Sequence, residues 1–274
     1  MSGKYRAFLT TEIERFYPMR RFDPKRHRLP AFDSDAILLV DKPATWTSFD
    51  VVNFVRSRFN IPKVGHCGTL DPAATGLLVL VLGKFTRLSG ALSGVDKIYE
   101  AKLTLGIETD SEDMDGEIIR QSDCSNITED MLRNCIASFM GKSMQIPPMV
   151  SALKKDGKKL YELARAGKEV EREPRPIEIF DIKPTCIALP ECEFTVHCSK
   201  GTYVRTIASD IGKKLGCGAV LSGLRRTQAG KFSIEDAVTV DTLKTFEQAE
   251  LKEFVEKFLY GKALKIAAEA ARNQ

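Results

Sequence analysis

At 274 residues the chain can fold as one elaborated domain or two small ones, and it can bury about three quarters of the surface its unfolded form exposes. Lys and Arg number 41 against 37 Asp and Glu, and a net charge of +4 is too slight to diagnose a partner. Seven cysteines without a C-x-x-C pair, beside only three histidines, argue against a zinc site and for reduced thiols. No apolar run is long enough to span a bilayer and no apolar signal core opens the chain, so a soluble cytoplasmic protein is expected.

Residues 1–35 read as an N-terminal extension in which Arg15, Arg20, Arg21, Lys25, Arg26 and Arg28 are interleaved with Phe16, Tyr17 and Phe22. Such a mixture can touch RNA by stacking and phosphate contact, although packing of the aromatics onto the body is the commoner use. The fold is expected to begin at Ala36, with Ile37-Leu38-Leu39-Val40 a short apolar strand and Asp41-Lys42-Pro43 the turn out of it. Thr47 then caps a helix, with Asp50 three residues on and Val51, Val52, Val55 and Phe59 as the apolar stripe. Gly65, Gly68 and Gly76 mark a shaped loop with Asp71-Pro72 at its middle, a pair that is also ordinary helix-start chemistry. Leu77-Leu78-Val79-Leu80-Val81-Leu82 follows, bounded by Gly76 and Gly83, and reads as a fully buried strand. A loop resting on such a strand is rigid.

The run from Lys97 to Leu105 alternates, placing Tyr99, Ala101, Leu103 and Leu105 on one core-facing side. Residues 107–126 are acidic and turn-rich, lack EF-hand spacing, and read as a solvated loop. Thr128 starts a helix through Met140 with Met131, Leu132, Cys135, Ile136 and Phe139 inward. Four lysines, Lys154, Lys155, Lys158 and Lys159, surround Gly157 on a protruding loop before a short helix ended by Gly167. A charge run of this kind is either a solvated face or a phosphate grip. Strands are expected over 177–187 and 193–198, the second carrying His197 as a satisfied core or edge histidine. Residues 199–203 open a helix that has Arg205 in its first turn, continues to Leu215 and stops at Gly216. An exposed arginine there opposes the helix dipole, which disfavours a bland surface role. Residues 241–274 read as amphipathic, Ala-rich helix.

Taken in order, several of these strings resemble the motifs of TruB-type pseudouridine synthases, which modify a uridine in the TΨC arm of tRNA. GHCGTLDPAATGLL at 65–78 fits the pattern GHxGTLDPxATGxL at every fixed position. DKPATWTS at 41–48 is similar to DKPxGxTS, with Thr45 standing where the family usually has glycine. If that turn needs a positive φ, a β-branched residue strains it. The Lys97-Ile98-Tyr99 string resembles the family's K-x-Y strand, and PPMVSALKKDGKKLYELAR at 147–165 its RNA-gripping loop. CSKGTYVRT at 198–206 and LSGLRRT at 221–227 resemble the arginine motif and the L-R-R strand that follows it.

The resemblance implies a mixed α/β (α+β) pseudouridine synthase fold, with a mixed central sheet flanked by helices and an RNA-binding thumb loop. Residues 36–245 would form the catalytic domain and 246–274 a helical tail, too short and too helical for the PUA domain that many members carry. By the same resemblance Asp71 is the nucleophile, Arg205 pairs with it, and Tyr99 stacks on the flipped base. His66, Lys42, Lys154, Lys155, Lys158, Lys159, Tyr203 and Leu224 would contact RNA. The implied partner is the TΨC stem-loop of tRNA, bound by a monomer without cofactor, metal or membrane. Attack at C6 of the uracil and attack at C1′ of the ribose both remain open. So do a synthase acting on other RNA and a non-catalytic RNA-binding or RNA-folding protein.

Overall fold

The computed structural model describes residues 32, 35–151, 154–155, 158–159, 170–258 and 261. Most of the extension read over 1–35, the short helix before Gly167 and the end of the C-terminal helix lie outside them. In chain order come β1 (Ala36–Lys42), α1 (Ser48–Arg58), β2 (Val64–Cys67), β3 (Thr75–Leu82) and, after a 3-10 turn, α2 (Ser89–Ser93). Next are β4 (Lys97–Leu105), β5 (Ile107–Thr109), β6 (Ile118–Gln121), α3 (Glu129–Ala137), β7 (Gly141–Gln145), β8 (Lys154–Lys155) and β9 (Lys158–Lys159). The long strands β10 (Arg175–Ala188) and β11 (Glu191–Cys198) precede α4 (Val204–Leu215) and β12 (Ala219–Ala229). Short β13 (Phe232–Ser233), β14 (Val238–Thr239) and α5 (Val240–Thr245) follow, with a further helix over 248–258. No helix among the described residues is long and apolar enough to cross a membrane.

Among the described residues, those up to Pro72, Gly76–Gly94 and those from Phe232 onward make one compact unit; Ala73–Thr75 and Val95–Lys231 make the other. In the first unit β3 is the spine. Leu77 to Leu82 are all buried, as a strand with both faces covered requires. β1 runs antiparallel to it from Ala36 opposite Leu82 to Lys42 opposite Gly76, and β2 is antiparallel over Val64 to Cys67. β14 joins β1 in parallel, so the sheet is mixed. α1 starts with a complete capping box between Thr47 and Asp50 and buries Val51, Val52 and Val55, as its sequence dictates. The turn from β1 into α1 holds Thr45 at φ +70°, the left-handed conformation that a glycine would adopt without strain.

The second unit is built on antiparallel strands in the order β12, β4, β11, β10, β7. Tyr99, Ala101, Leu103 and Leu105 of β4 are buried together with Cys192, Phe194, Val196 and Cys198 of β11, the two period-two patterns in register. α3 packs on β10 and α4 on β12. The last contact is so close that a Cβ added at Gly212 would lie 2.0 Å from the Ala219 nitrogen. Two expectations are corrected here. Met131 is 44% exposed, since only Leu132, Cys135 and Ile136 of α3 face inward and the helix ends at Ala137. Residues 107–126 are solvated for the most part but are not all loop: β5 and β6 pair, and Thr109 and Ser111 are buried.

Two consequences for stability follow from these packings. Replacing Thr45 with Gly relieves the left-handed strain and should raise unfolding free energy by about 1 kcal/mol in urea titrations; an unchanged midpoint would mean that Thr45 is unstrained. Burial pushes the Cys192 and Cys198 thiols from 9.0 up to about 11. Below pH 9 folded and unfolded thiols are alike protonated; above it the unfolded chain loses protons that the folded one keeps. Stability should therefore fall progressively between pH 9 and 11, and replacing both cysteines with Ala should flatten that limb of the pH curve.

Candidate active site

Asp71 lies in irregular backbone between β2 and β3, not at a helix start. Both of its neighbours are clamped. Ser48, the first residue of α1, accepts a hydrogen bond from the Leu70 amide (2.8 Å) and donates one to the Leu70 carbonyl (3.0 Å). The Pro72 carbonyl accepts from the Thr45 amide (2.9 Å) and from Lys42 Nζ (3.1 Å). Lys42 was expected to reach RNA; it is instead 0% exposed, and its ammonium also donates to the carbonyls of Pro43 (2.9 Å) and Trp46 (2.6 Å). A buried cation has to be met by oxygens in this way, and meeting them orders the loop. His66 stands on β2 opposite Leu80, so the segment read as the start of the loop is strand.

Arg205 belongs to the second unit, in the first turn of α4. It is 3% exposed, so the surface role that the helix dipole disfavours does not arise. Its Nη1 donates to the Ser111 carbonyl (2.9 Å) and lies 3.4 Å from Asp113 Oδ2, while Nη2 donates to the Val150 carbonyl (2.9 Å). The turn of 110–116 that supplies two of these partners is itself bound to α4 and β12. Thr206 Oγ1 donates to Glu112 Oε2 (2.6 Å), and the Glu112 carbonyl accepts from the Leu221 amide (3.1 Å). Burial pushes the Glu112 carboxyl above its ordinary value, against the hydrogen bond from Thr206. At the start of α4, Gln145 of β7 bonds both the amide (2.8 Å) and the carbonyl (3.0 Å) of Tyr203, doing the work of a helix cap.

Tyr99 is buried on β4, and the register sets Leu224 opposite Ala101 and Arg226 opposite Tyr99. Residues paired directly across antiparallel strands share a face, so Tyr99, Leu224 and Arg226 are brought to one side of the sheet. An open cavity of about 560 Å³ is lined by residues of both faces, among them Ala73, Thr75, Glu100, Ala101, Leu224 and Arg225, and neither Tyr99 nor Arg205 lines it. For the expected RNA-gripping lysines the backbone is described: Lys154–Lys155 pairs antiparallel with Lys158–Lys159. His197, as expected, is satisfied, its Nε2 meeting Asp96 Oδ2 at 2.5 Å. Among the described residues no group of His, Cys, Asp and Glu gathers that could hold a metal ion.

Sequence reasoning missed Ser111, Asp113, Gln145 and Arg226. The first two were hidden by the reading of 107–126 as solvated, and nothing local marks Gln145. Arg226 was within reach, since alternation puts it on the face of Leu224 two residues earlier. Ser48 offers the most direct test of the clamp. Ser48→Ala leaves the Leu70 amide and carbonyl buried and without their partner, and should cost about 1 to 3 kcal/mol of unfolding free energy in urea. A loss below a few tenths of that would show that the loop does not depend on Ser48.

Residues 56–204 match the TruB family pseudouridylate synthase (N terminal domain) model, and residues 205–260 match the tRNA pseudouridylate synthase B C-terminal domain. The chain is 48% identical over 223 residues to the tRNA pseudouridine synthase B of Opitutus terrae, covering 81% of this chain and 92% of that one. It is 44% identical over 258 residues to the protein of the same name from Burkholderia pseudomallei, covering 87% and 85%. Among solved structures it is similar to a chain of a Cbf5-Nop10-Gar1 complex, with a TM-score of 0.60 and 30% identity over 75% of this chain. It spans about half of that chain, 52%. A second likeness, to the archaeal box H/ACA sRNP Nop10-Cbf5 complex, has a TM-score of 0.59 at 27% identity over 81% of this chain and 58% of that one. With two adjoining family matches running through strands, Asp71 loop and Arg205 helix alike, the chain belongs to the TruB family of pseudouridylate synthases, which are isomerases.

Proposed function

We propose that the protein isomerises one uridine in the TΨC arm of tRNA to pseudouridine, with Asp71 as the nucleophile. The observation that carries this reading is the clamped loop: Asp71 stands between Leu70, held by Ser48, and Pro72, held by Thr45 and Lys42. A side chain whose backbone is fixed on both sides is already oriented before substrate arrives. The tRNA substrate is supported by the relatives that bear the name tRNA pseudouridine synthase B.

The reaction breaks the bond between C1′ and N1, turns the uracil, and joins C1′ to C5. The proton at C5 passes to solvent and N1 gains one, so atoms and electrons balance without an outside reagent. A carboxylate suits the task because it can both attack and leave, whether at C6 or at C1′. The reacting atoms are hidden while the uridine is stacked, so the base is flipped out, with His66 stacking where it was. Tyr99 stacks on the extruded uracil and Leu224 contacts its nucleotide. Arg205 supplies the positive charge that keeps the nucleophile ionised and directed. The lysines of the β8–β9 hairpin and Tyr203 hold the stem-loop through its phosphates. The active species is a cytoplasmic monomer whose catalytic domain spans residues 36–245.

Purified protein should release tritium from tRNA labelled at C5 of uridine, and Asp71→Asn should lower that release by at least about 1,000-fold. Cells lacking the gene should lose pseudouridine from the TΨC arm, and only the wild-type gene should restore it. Turnover by Asp71→Asn removes Asp71 from its role, and an unchanged TΨC arm defeats the tRNA assignment.

A further inference from the structure

We propose that Ser151 is a further substrate-contacting residue, its hydroxyl bonding an oxygen of the extruded nucleotide; this rests on the pseudouridine synthase reading above. Ser151 is 5% exposed, and its Oγ meets no hydrogen-bond partner among the described residues. A buried hydroxyl left this way is a cost that folded proteins rarely accept, and where it is accepted a ligand or ordered water commonly takes the bond. The other buried or half-buried hydroxyls around Arg205 are used within the fold. Ser111 Oγ donates to Asp113 Oδ1 and Thr206 Oγ1 to Glu112 Oε2. Ser151 alone of these three is unspent.

Its backbone is held as tightly as that of a designed site. Arg172 Nη1 donates to the Pro147 carbonyl (3.2 Å), the Ser151 amide donates to the Met149 carbonyl (3.0 Å), and the Val150 carbonyl accepts from Arg205 Nη2 (2.9 Å). The hydroxyl is therefore one residue from the carbonyl that orients Arg205, on a turn braced at Pro147, Met149 and Val150. A hydroxyl both donates and accepts, so it fits a ribose hydroxyl, a phosphate oxygen or a uracil carbonyl. Preorganised and dry until the nucleotide enters, the group would strengthen its bond only in the flipped state, and so would act on turnover more than on affinity.

The test compares Ser151→Ala and Ser151→Cys with wild type in the full chain, reading tritium release from labelled tRNA, RNA affinity by filter binding, and the thermal midpoint. The Ala variant should hold or raise the midpoint, because an unbonded hydroxyl is removed, and keep RNA affinity within about twofold. Its kcat should drop about tenfold, with Cys intermediate as a weak donor. An unchanged kcat overturns the proposal, and so does a drop in kcat accompanied by a lower midpoint, which marks a structural serine. If wild type itself releases no tritium, it is the pseudouridine synthase reading that fails, and the Ser151 role with it.

Discussion

A lysine ammonium taken wholly out of water must be surrounded by oxygens, and in the first unit that requirement shapes everything near the Asp71 loop. Lys42 collects the carbonyls of Pro43, Trp46 and Pro72, and these come from the two ends of the β1–α1 turn and from the loop beyond β2. Three chain segments that share no strand pairing with one another are thereby tied to one point. The strained Thr45 is explained by the same knot, since its amide must also reach the Pro72 carbonyl. Desolvating a charge is expensive, and the unit accepts that expense to fix a loop that has no regular secondary structure of its own.

The second unit treats Arg205 by a related device. Two of its donors end on backbone carbonyls, of Ser111 and Val150, with Asp113 at the edge of the guanidinium. Carbonyl oxygens do not titrate and do not cancel charge. They aim the guanidinium without carrying a charge themselves, while Asp113 sets a carboxylate beside it.

The strands and helices were legible because their patterns are strong. The unbroken apolar run of β3, the alternation in β4 and β11, and the Thr47–Asp50 box each admit one reading, and tertiary context agrees with it. The Asp71 loop was legible only through its whole string, since Asp-Pro by itself also fits a helix start. What could not be seen was burial of polar groups. Lys42 looks like a surface residue, and Ser111 and Asp113 look like part of a solvent-facing acidic turn, because a one-dimensional pattern records polarity and not the partner that satisfies it. Met131 failed for a different reason: helical spacing admits it to the apolar face, and only the packing of α3 on β10 decides where that face ends.

The contact at Gly212 makes α4 a lever. With a Cβ there only 2.0 Å from the Ala219 nitrogen, any side chain would push the helix axis away from β12, and Arg205 rides two turns up the same rigid rod. A methyl group at position 212 can thus shift a guanidinium seven residues away off the carbonyls of Ser111 and Val150, by tilting the beam on which it is mounted.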